Sequence, residues 1–98
     1  MTVLPFEDLI DRAREDFEAG RFESAISLLD QFCEYYPSGS DEVWWLYAQS
    51  FEADGPNKNI LAALDYYRRL IRDFPLSSRA DDARRRISFL ERFFIRIN

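Results

Sequence analysis

Histidine is absent from this chain, and cysteine and methionine occur once each among its 98 residues. Without histidine, neither a histidine triad nor a mixed thiolate–imidazole zinc site can be assembled, and a single cysteine cannot close an internal disulfide. No stretch approaches the roughly 20 apolar residues that a membrane span needs. The start, Met1-Thr2-Val3-Leu4-Pro5-Phe6 running into Glu7-Asp8, has neither the basic region nor the apolar run of a secretion signal. The expectation is a soluble protein, cytoplasmic as the chain stands, and periplasmic or in the cell envelope if an export signal has been removed.

What is present suits one folded domain. Hydrophobic residues make up 47% and aromatics 16% of the chain, enough to fill a core at a length near the lower limit for self-sufficient folding. The net charge of -5 is unevenly spread. Residues 1–57 carry 13 acids and 3 bases, whereas residues 58–98 carry 5 acids and 10 bases. Such polarity means either that the halves attract each other or that each meets a different partner.

The apolar residues recur at helical spacing throughout. Phe6, Leu9, Ile10, Ala13 and Phe17 predict a first helix that Gly20 ends, and Phe22, Ala25, Ile26, Leu29, Phe32 and Cys33 a second that stops before Pro37. Ser40, followed by Asp41 and Glu42, reads as the N-cap of a third helix through Phe51, closed by Gly55-Pro56-Asn57. Ile60 to Ile71 forms a fourth, ended by Phe74-Pro75. A fifth begins after Ser77-Ser78 and runs toward the C-terminus. Sustained period-two alternation is nowhere found, so the fold class is all-α.

The chain also repeats itself. Residues 22–37 lie over residues 60–75 at a constant offset of 38, with Ala25 on Ala63, Tyr36 on Phe74, Pro37 on Pro75 and Ser40 on Ser78. Two helices in a unit of this length indicate a helical repeat array. Leu9, Ala13, Gly20, Ala25, Leu29 and Pro37 in one unit, and Trp44, Ala48, Phe51, Gly55, Ala63, Tyr67 and Pro75 in the other, resemble the tetratricopeptide repeat. The second match requires an insertion around Gly55-Pro56-Asn57-Lys58, and Asp16 takes an aromatic position of the first. The resemblance implies a right-handed α-α superhelix of two hairpins, 6–37 and 41–75, with a capping helix over 78–97. The Tyr-Pro-x-Gly-Ser and Phe-Pro-Leu-Ser-Ser punctuation is most similar to repeat proteins of the bacterial envelope, which implies outer-membrane assembly as one alternative role.

No catalytic constellation emerges. The carboxylates Glu15, Asp16, Glu18, Asp81 and Asp82 read as solvated or capping groups, Cys33 reads as core, and Gly55-Pro56-Asn57-Lys58 lacks phosphate-loop spacing. No cofactor and no enzymatic activity are expected. Arg84-Arg85-Arg86 with Arg68, Arg69, Arg72, Arg79, Arg92 and Arg96 raises a nucleic-acid alternative, but the acidic chain argues against it, and Asp65, Asp73, Asp81 and Asp82 are nearby partners.

A protein or peptide partner is the stronger expectation. By register, the family's groove positions fall on Glu7, Ile10, Arg14, Phe17 and Glu18, and on Glu42, Trp45, Gln49, Glu52 and Ala53. Trp45 is the anchor, exposed in the groove because Trp44 already fills the packing position; packing on the last helix is the alternative. Arg14 and Gln49 replace the lysine and asparagine of the family's carboxylate clamp, so C-terminal carboxylate recognition is not implied. In the last helix Ala83, Ile87, Leu90 and Phe94 form one apolar face to cover the fourth helix. Phe89, Phe93 and Ile97 form a second, expected to contact a partner or a second copy. Two repeats are fewer than such stacks usually need, and the charge asymmetry adds the possibility of head-to-tail contact. The chain is therefore read as a non-catalytic interaction adaptor.

Overall fold

The computed structural model describes residues 6–95, with side chains from 8 to 94. Five α-helices follow one another: α1 (Phe6–Glu18), α2 (Phe22–Tyr35), α3 (Asp41–Glu52), α4 (Ile60–Asp73) and α5 (Ser78–Leu90), the last continuing as a π-helical turn over Glu91–Ile95. Local chemistry sets these limits. Gly20 takes φ +81, the left-handed turn that lets the chain reverse between α1 and α2. The Ser40 side chain accepts from Val43 N at 3.1 Å, and Asn59 Oδ1 accepts from Ala62 N at 3.0 Å, capping α3 and α4. Both α2 and α4 stop one residue short of the position preceding a proline, where Tyr36 and Phe74 turn out of the helical region. Gly39 (φ +65) sits against the Trp44 ring, so close that an added Cβ would lie 2.5 Å from it.

Consecutive helices pack as neighbours, giving an all-α helical-repeat fold with α1 and α5 at opposite ends of the stack. The first hairpin closes on Ala13, Leu29 and Phe32, and the second on Trp44, Ala48, Ala63, Leu64, Tyr67 and Leu70, all in one continuous core, with Ala25 also buried. Helix α3 sits between the hairpins and is buried on most sides, through Val43, Trp44, Leu46, Tyr47, Ala48 and Ser50. Its aromatics grip α4: Tyr66 stacks on Tyr47 at 4.3 Å and on Phe51 at 5.9 Å, and Trp44 Nε1 donates to Asp73 at 3.2 Å. Each such ring pair adds about 0.5–1.5 kcal/mol beyond its buried area. No helix among the described residues is long and apolar enough to cross a membrane.

The last helix differs from expectation in two ways. It begins at Ser78 rather than after it, and its N-cap is Ser77, which accepts from Arg79 N at 3.1 Å, whereas the sequence repeat sets Ser40 on Ser78. The turn after Pro75 is one residue shorter than the turn after Pro37. Second, Ala83 and Leu90 are buried as the apolar face requires, but Phe94 is 51% exposed and lies beside Lys58, whose Nζ is 5.1 Å from the ring centroid. The reason is the π turn that starts at Glu91: its wider winding rotates Phe94 off the line of Ala83, Ile87 and Leu90.

Candidate functional site

The first helices of the two hairpins and α5 lie side by side, and most residues singled out by the repeat register fall along them. Arg14, Glu42 and Glu52 among them are tied across to a neighbouring helix. Arg14 of α1 donates through Nε to Glu42 of α3 at 2.6 Å and through Nη1 to Asp11 at 2.9 Å. Glu52 of α3 is paired with Arg86 of α5, whose Nε lies 3.2 Å from Glu52 Oε1 while its terminal nitrogen bonds Oε2. Tyr67 of α4 joins the same cluster: its hydroxyl accepts from Gln49 Nε2 at 2.6 Å and donates to Glu52 Oε1 at 2.7 Å. Burial, and then the bond to the Glu52 carboxylate, push the Tyr67 phenol well above its ordinary range. Gln49 and Glu52 thus form the joint between α3, α4 and α5.

Trp45 is half-buried rather than freely exposed. Tyr67 meets it edge-on at 5.5 Å, and the guanidinium of Arg79 in α5 lies over its ring at 5.5 Å. The size of this second tryptophan is explained in part by packing on α4 and α5, the alternative that the sequence left open. Ile10 is half-buried against the core, Phe17 is half-buried with its ring 5.6 Å from Phe22 across the α1–α2 turn, and Glu18 is exposed.

At the far end of the stack, Phe89 and Phe93 are 42% and 62% exposed, with ring centroids 4.6 Å apart. They border an open depression of about 370 Å³ together with Arg84, Arg85, Ser88 and Arg92. Ile97 lies outside the described residues. Five arginines of the second half are tied to carboxylates: Arg68 to Glu91 at 2.6 Å, Arg69 to Asp65 at 3.5 Å, Arg72 to Asp73 at 2.9 Å and Arg84 to Asp81 at 2.9 Å, with Arg85 bonded to Asp82. Asp65, Asp73, Asp81 and Asp82 are the acidic neighbours that the sequence nominated, and Glu91 is a partner it did not name.

Two groups have roles that sequence reasoning missed. Asp16, read as solvated, is only 7% exposed and closes the α1–α2 turn: it accepts from Ser24 Oγ at 2.5 Å and from Arg21 Nε and Nη2 at 3.0 and 2.9 Å. The Ser24 hydroxyl and then the Arg21 guanidinium hold its carboxyl below the ordinary aspartate range. Its signal was its place on the buried line Leu9–Ala13–Asp16. Tyr67 was read only as a packing residue, and nothing in helical periodicity marks a hydroxyl that bridges two other helices. Cys33 is half-buried beside the Tyr47 hydroxyl at 3.8 Å, and burial pushes its thiol up, away from the reactive thiolate. The hydroxyl–carboxylate pairs Ser24–Asp16 and Ser77–Asp41 sit at helix junctions, and no group of three His, Cys, Asp or Glu among the described residues is placed to hold a metal.

Known proteins place this geometry in context. The chain is 32% identical over 93 residues to an uncharacterized protein of Treponema pallidum (strain Nichols), covering 93% of the chain and 18% of that protein. It is 34% identical over 90 residues to an uncharacterized protein of Borreliella burgdorferi (strain ATCC 35210 / DSM 4680 / CIP 102532 / B31), covering 91% of the chain and 24% of that protein. The chain therefore spans about a fifth of the length of the curated relatives it matches. No solved structure matches it. Residues 42–77 match the family model of the tetratricopeptide repeat, and the all-α helical stack built around them is the TPR-like fold that goes with that repeat.

Proposed function

We propose that this chain is a non-catalytic protein-interaction module that binds a segment of a partner protein along the side formed by α1, α3 and α5. The division into hairpins 6–37 and 41–75 with a cap over 78–97 belongs to the same proposal. The observation that carries it is preorganisation. Arg14, Glu42, Trp45, Glu52, Arg79 and Arg86 make one row in which every side chain is already held by a neighbouring helix. A partner that meets such a row orders few side chains on binding, which lowers the entropic cost of association. Alternating charges around a half-buried indole also suit recognition of a segment that carries both an acidic and a basic residue beside an apolar one. A narrower place in bacterial envelope assembly is supported by the Tyr-Pro and Phe-Pro punctuation alone.

Selection of a displayed random-peptide library on the wild-type chain tests the site. The selected peptides are expected to bind Trp45→Ala and Glu18→Lys at least tenfold more weakly while circular dichroism shows both variants folded. Equal binding to both folded variants would sink the assignment of this side.

A further inference from the structure

The outer face of α5 is built differently from the matching face of α3. With the caps aligned at Ser40 and Ser77, the residues of α3 that face the first hairpin, Val43, Leu46 and Ser50, correspond to Ala80, Ala83 and Ile87, which face inward in α5. The residues of α3 that take α4, Trp44, Tyr47, Ala48 and Phe51, correspond to Asp81, Arg84, Arg85 and Ser88. All four are exposed. Where α3 offers an aromatic face to a hairpin partner, α5 offers arginines, flanked by the exposed pair Phe89 and Phe93 and by Arg92.

That face is neither an ordinary solvating face nor a core face. A solvating face has no need of two neighbouring phenylalanines, each about half exposed, and a core face excludes three arginines. The pairs Arg84–Asp81 and Arg85–Asp82 are solvent-exposed contacts within one helix turn, a class that contributes little and yields readily to better partners. Arg92 has no carboxylate within ion-pair distance among the described residues.

The opposite end of the stack carries the complement. On α1, Asp8, Asp11, Arg12 and Glu15 are all exposed and together line one shallow depression. In the register that sets Leu9 on Trp44 they correspond to Val43, Leu46, Tyr47 and Ser50, all four of which are buried in α3. The α1 end therefore sets three carboxylates, of which Asp11 is bonded to Arg14, beside one guanidinium, and the α5 end sets three guanidiniums and two rings beside Asp81 and Asp82. Acid meets arginine, and Arg12 meets an aromatic face, as Arg86 already does on Phe89 at 4.6 Å.

We propose that the Phe89–Phe93 face of α5 docks the acidic α1 face of a second copy of this chain, head to tail. Because the two faces lie at opposite ends of one molecule, the contact is heterologous. It leaves a free α1 on one copy and a free α5 on the other, and it propagates into an open array unless the rotation between copies closes it. Being electrostatic and surface-exposed, it weakens as salt rises.

Sedimentation velocity on the 98-residue chain at about 20 mM and about 500 mM salt tests this. Species larger than a dimer are expected to grow with concentration at low salt and to disappear at high salt. Arg84→Gln/Arg85→Gln and Asp8→Lys/Asp11→Lys, each alone, are expected to be monomers with unchanged circular dichroism, because each keeps one working face. Mixed, they are expected to form a complex that stops at two chains, through the intact α1 face of the first and the intact α5 face of the second. Phe93→Ser, which leaves every charge in place, is expected to weaken wild-type association at least tenfold. A wild-type chain that stays monomeric at millimolar concentration in low salt would overturn the proposal. So would a mixture of folded variants that remains monomeric, or a limiting dimer that survives in either variant alone, which would mark a symmetric contact elsewhere.

Discussion

Asp16 shows how one carboxylate can define a turn. It stands near the C-terminal end of α1, where a negative charge is unfavourable to the helix dipole, yet it is nearly buried and lies at the start of α2, where the same charge is favourable. Arg21 and Ser24 supply its three side-chain bonds, and Arg21 N also donates to the Asp16 carbonyl at 2.7 Å. Removing the carboxylate leaves Ser24 and Arg21 without their acceptor, so Asp16→Ala is expected to cost about 1–3 kcal/mol, with Tm falling about 4–8 °C per kcal/mol in a domain of this size. The pH dependence follows from the lowered pKa. The folded protein holds Asp16 ionised below the ordinary aspartate value of 3.8, so the stabilisation is complete above that value and is lost as pH falls through the folded one. Chemical denaturation of wild type and Asp16→Asn is expected to show a gap that is widest near neutrality and narrows as pH falls below the ordinary aspartate value. A gap that persists unchanged in acid would mean that the carboxylate's charge is irrelevant to the turn.

At the scale of elements, α5 shows what was readable in the sequence and what was not. Five helices, their breaks at Gly20, Pro37 and Pro75, and the cap at Ser40 all follow from periodicity and local turn chemistry, which is why they agree with the structure. The fifth helix begins one residue before the point read from Ser77-Ser78, because the turn after Pro75 is one residue shorter than the turn after Pro37. The π turn has no composition signature, so Phe94 was placed by a winding the chain does not keep. In the candidate site, the register found Arg14, Glu42, Trp45, Gln49 and Glu52, but not that these residues are already bonded to Asp11, Arg79, Tyr67 and Arg86. Partners brought in by other helices cannot be read from spacing within one. Ser77 makes the point testable. Its hydroxyl accepts from Arg79 N and also donates to Asp41 Oδ2 at 2.7 Å, joining the N-termini of α5 and α3. Ser77→Ala is expected to cost about 1–2 kcal/mol and to raise amide hydrogen exchange in the first turn of α5 while leaving α1 and α2 protected. Ser78→Ala is expected to change neither, and the opposite ranking of the two variants would place the cap at Ser78.

For the whole molecule, the tyrosine hydroxyls join one hairpin to the next. Tyr47 of α3 donates to Asp30 of α2 at 2.5 Å, and Tyr67 of α4 donates to Glu52, which is itself bound to Arg86 of α5. Tyr66 of α4 stacks on Tyr47 and Phe51 of α3. Burial is the leading cause that raises all three phenols above the ordinary tyrosine value of 10.0, and for Tyr47 and Tyr67 a carboxylate accepting the proton adds to it. A raised phenol pKa means that the unfolded chain ionises first as pH rises, so the folded state then holds more protons than the unfolded one. Stability is therefore full below about pH 10 and falls above it, by up to about 1.4 kcal/mol per pH unit for each such group. Because these phenols bridge α2 to α3 and α3 to α4 and α5, their ionisation strikes the joints of the stack together, and the loss is expected to be one cooperative transition rather than the fraying of an end. Thermal melts between pH 8 and 11, followed by both far-ultraviolet circular dichroism and tyrosinate absorbance, are expected to show coincident transitions whose Tm drops steeply above about pH 10. Tyr47→Phe/Tyr67→Phe, which removes the titrating protons and keeps the rings, is expected to start less stable but to lose less with pH. A Tm as steep in the double variant as in wild type would place the alkaline sensitivity elsewhere than in these inter-helix phenols.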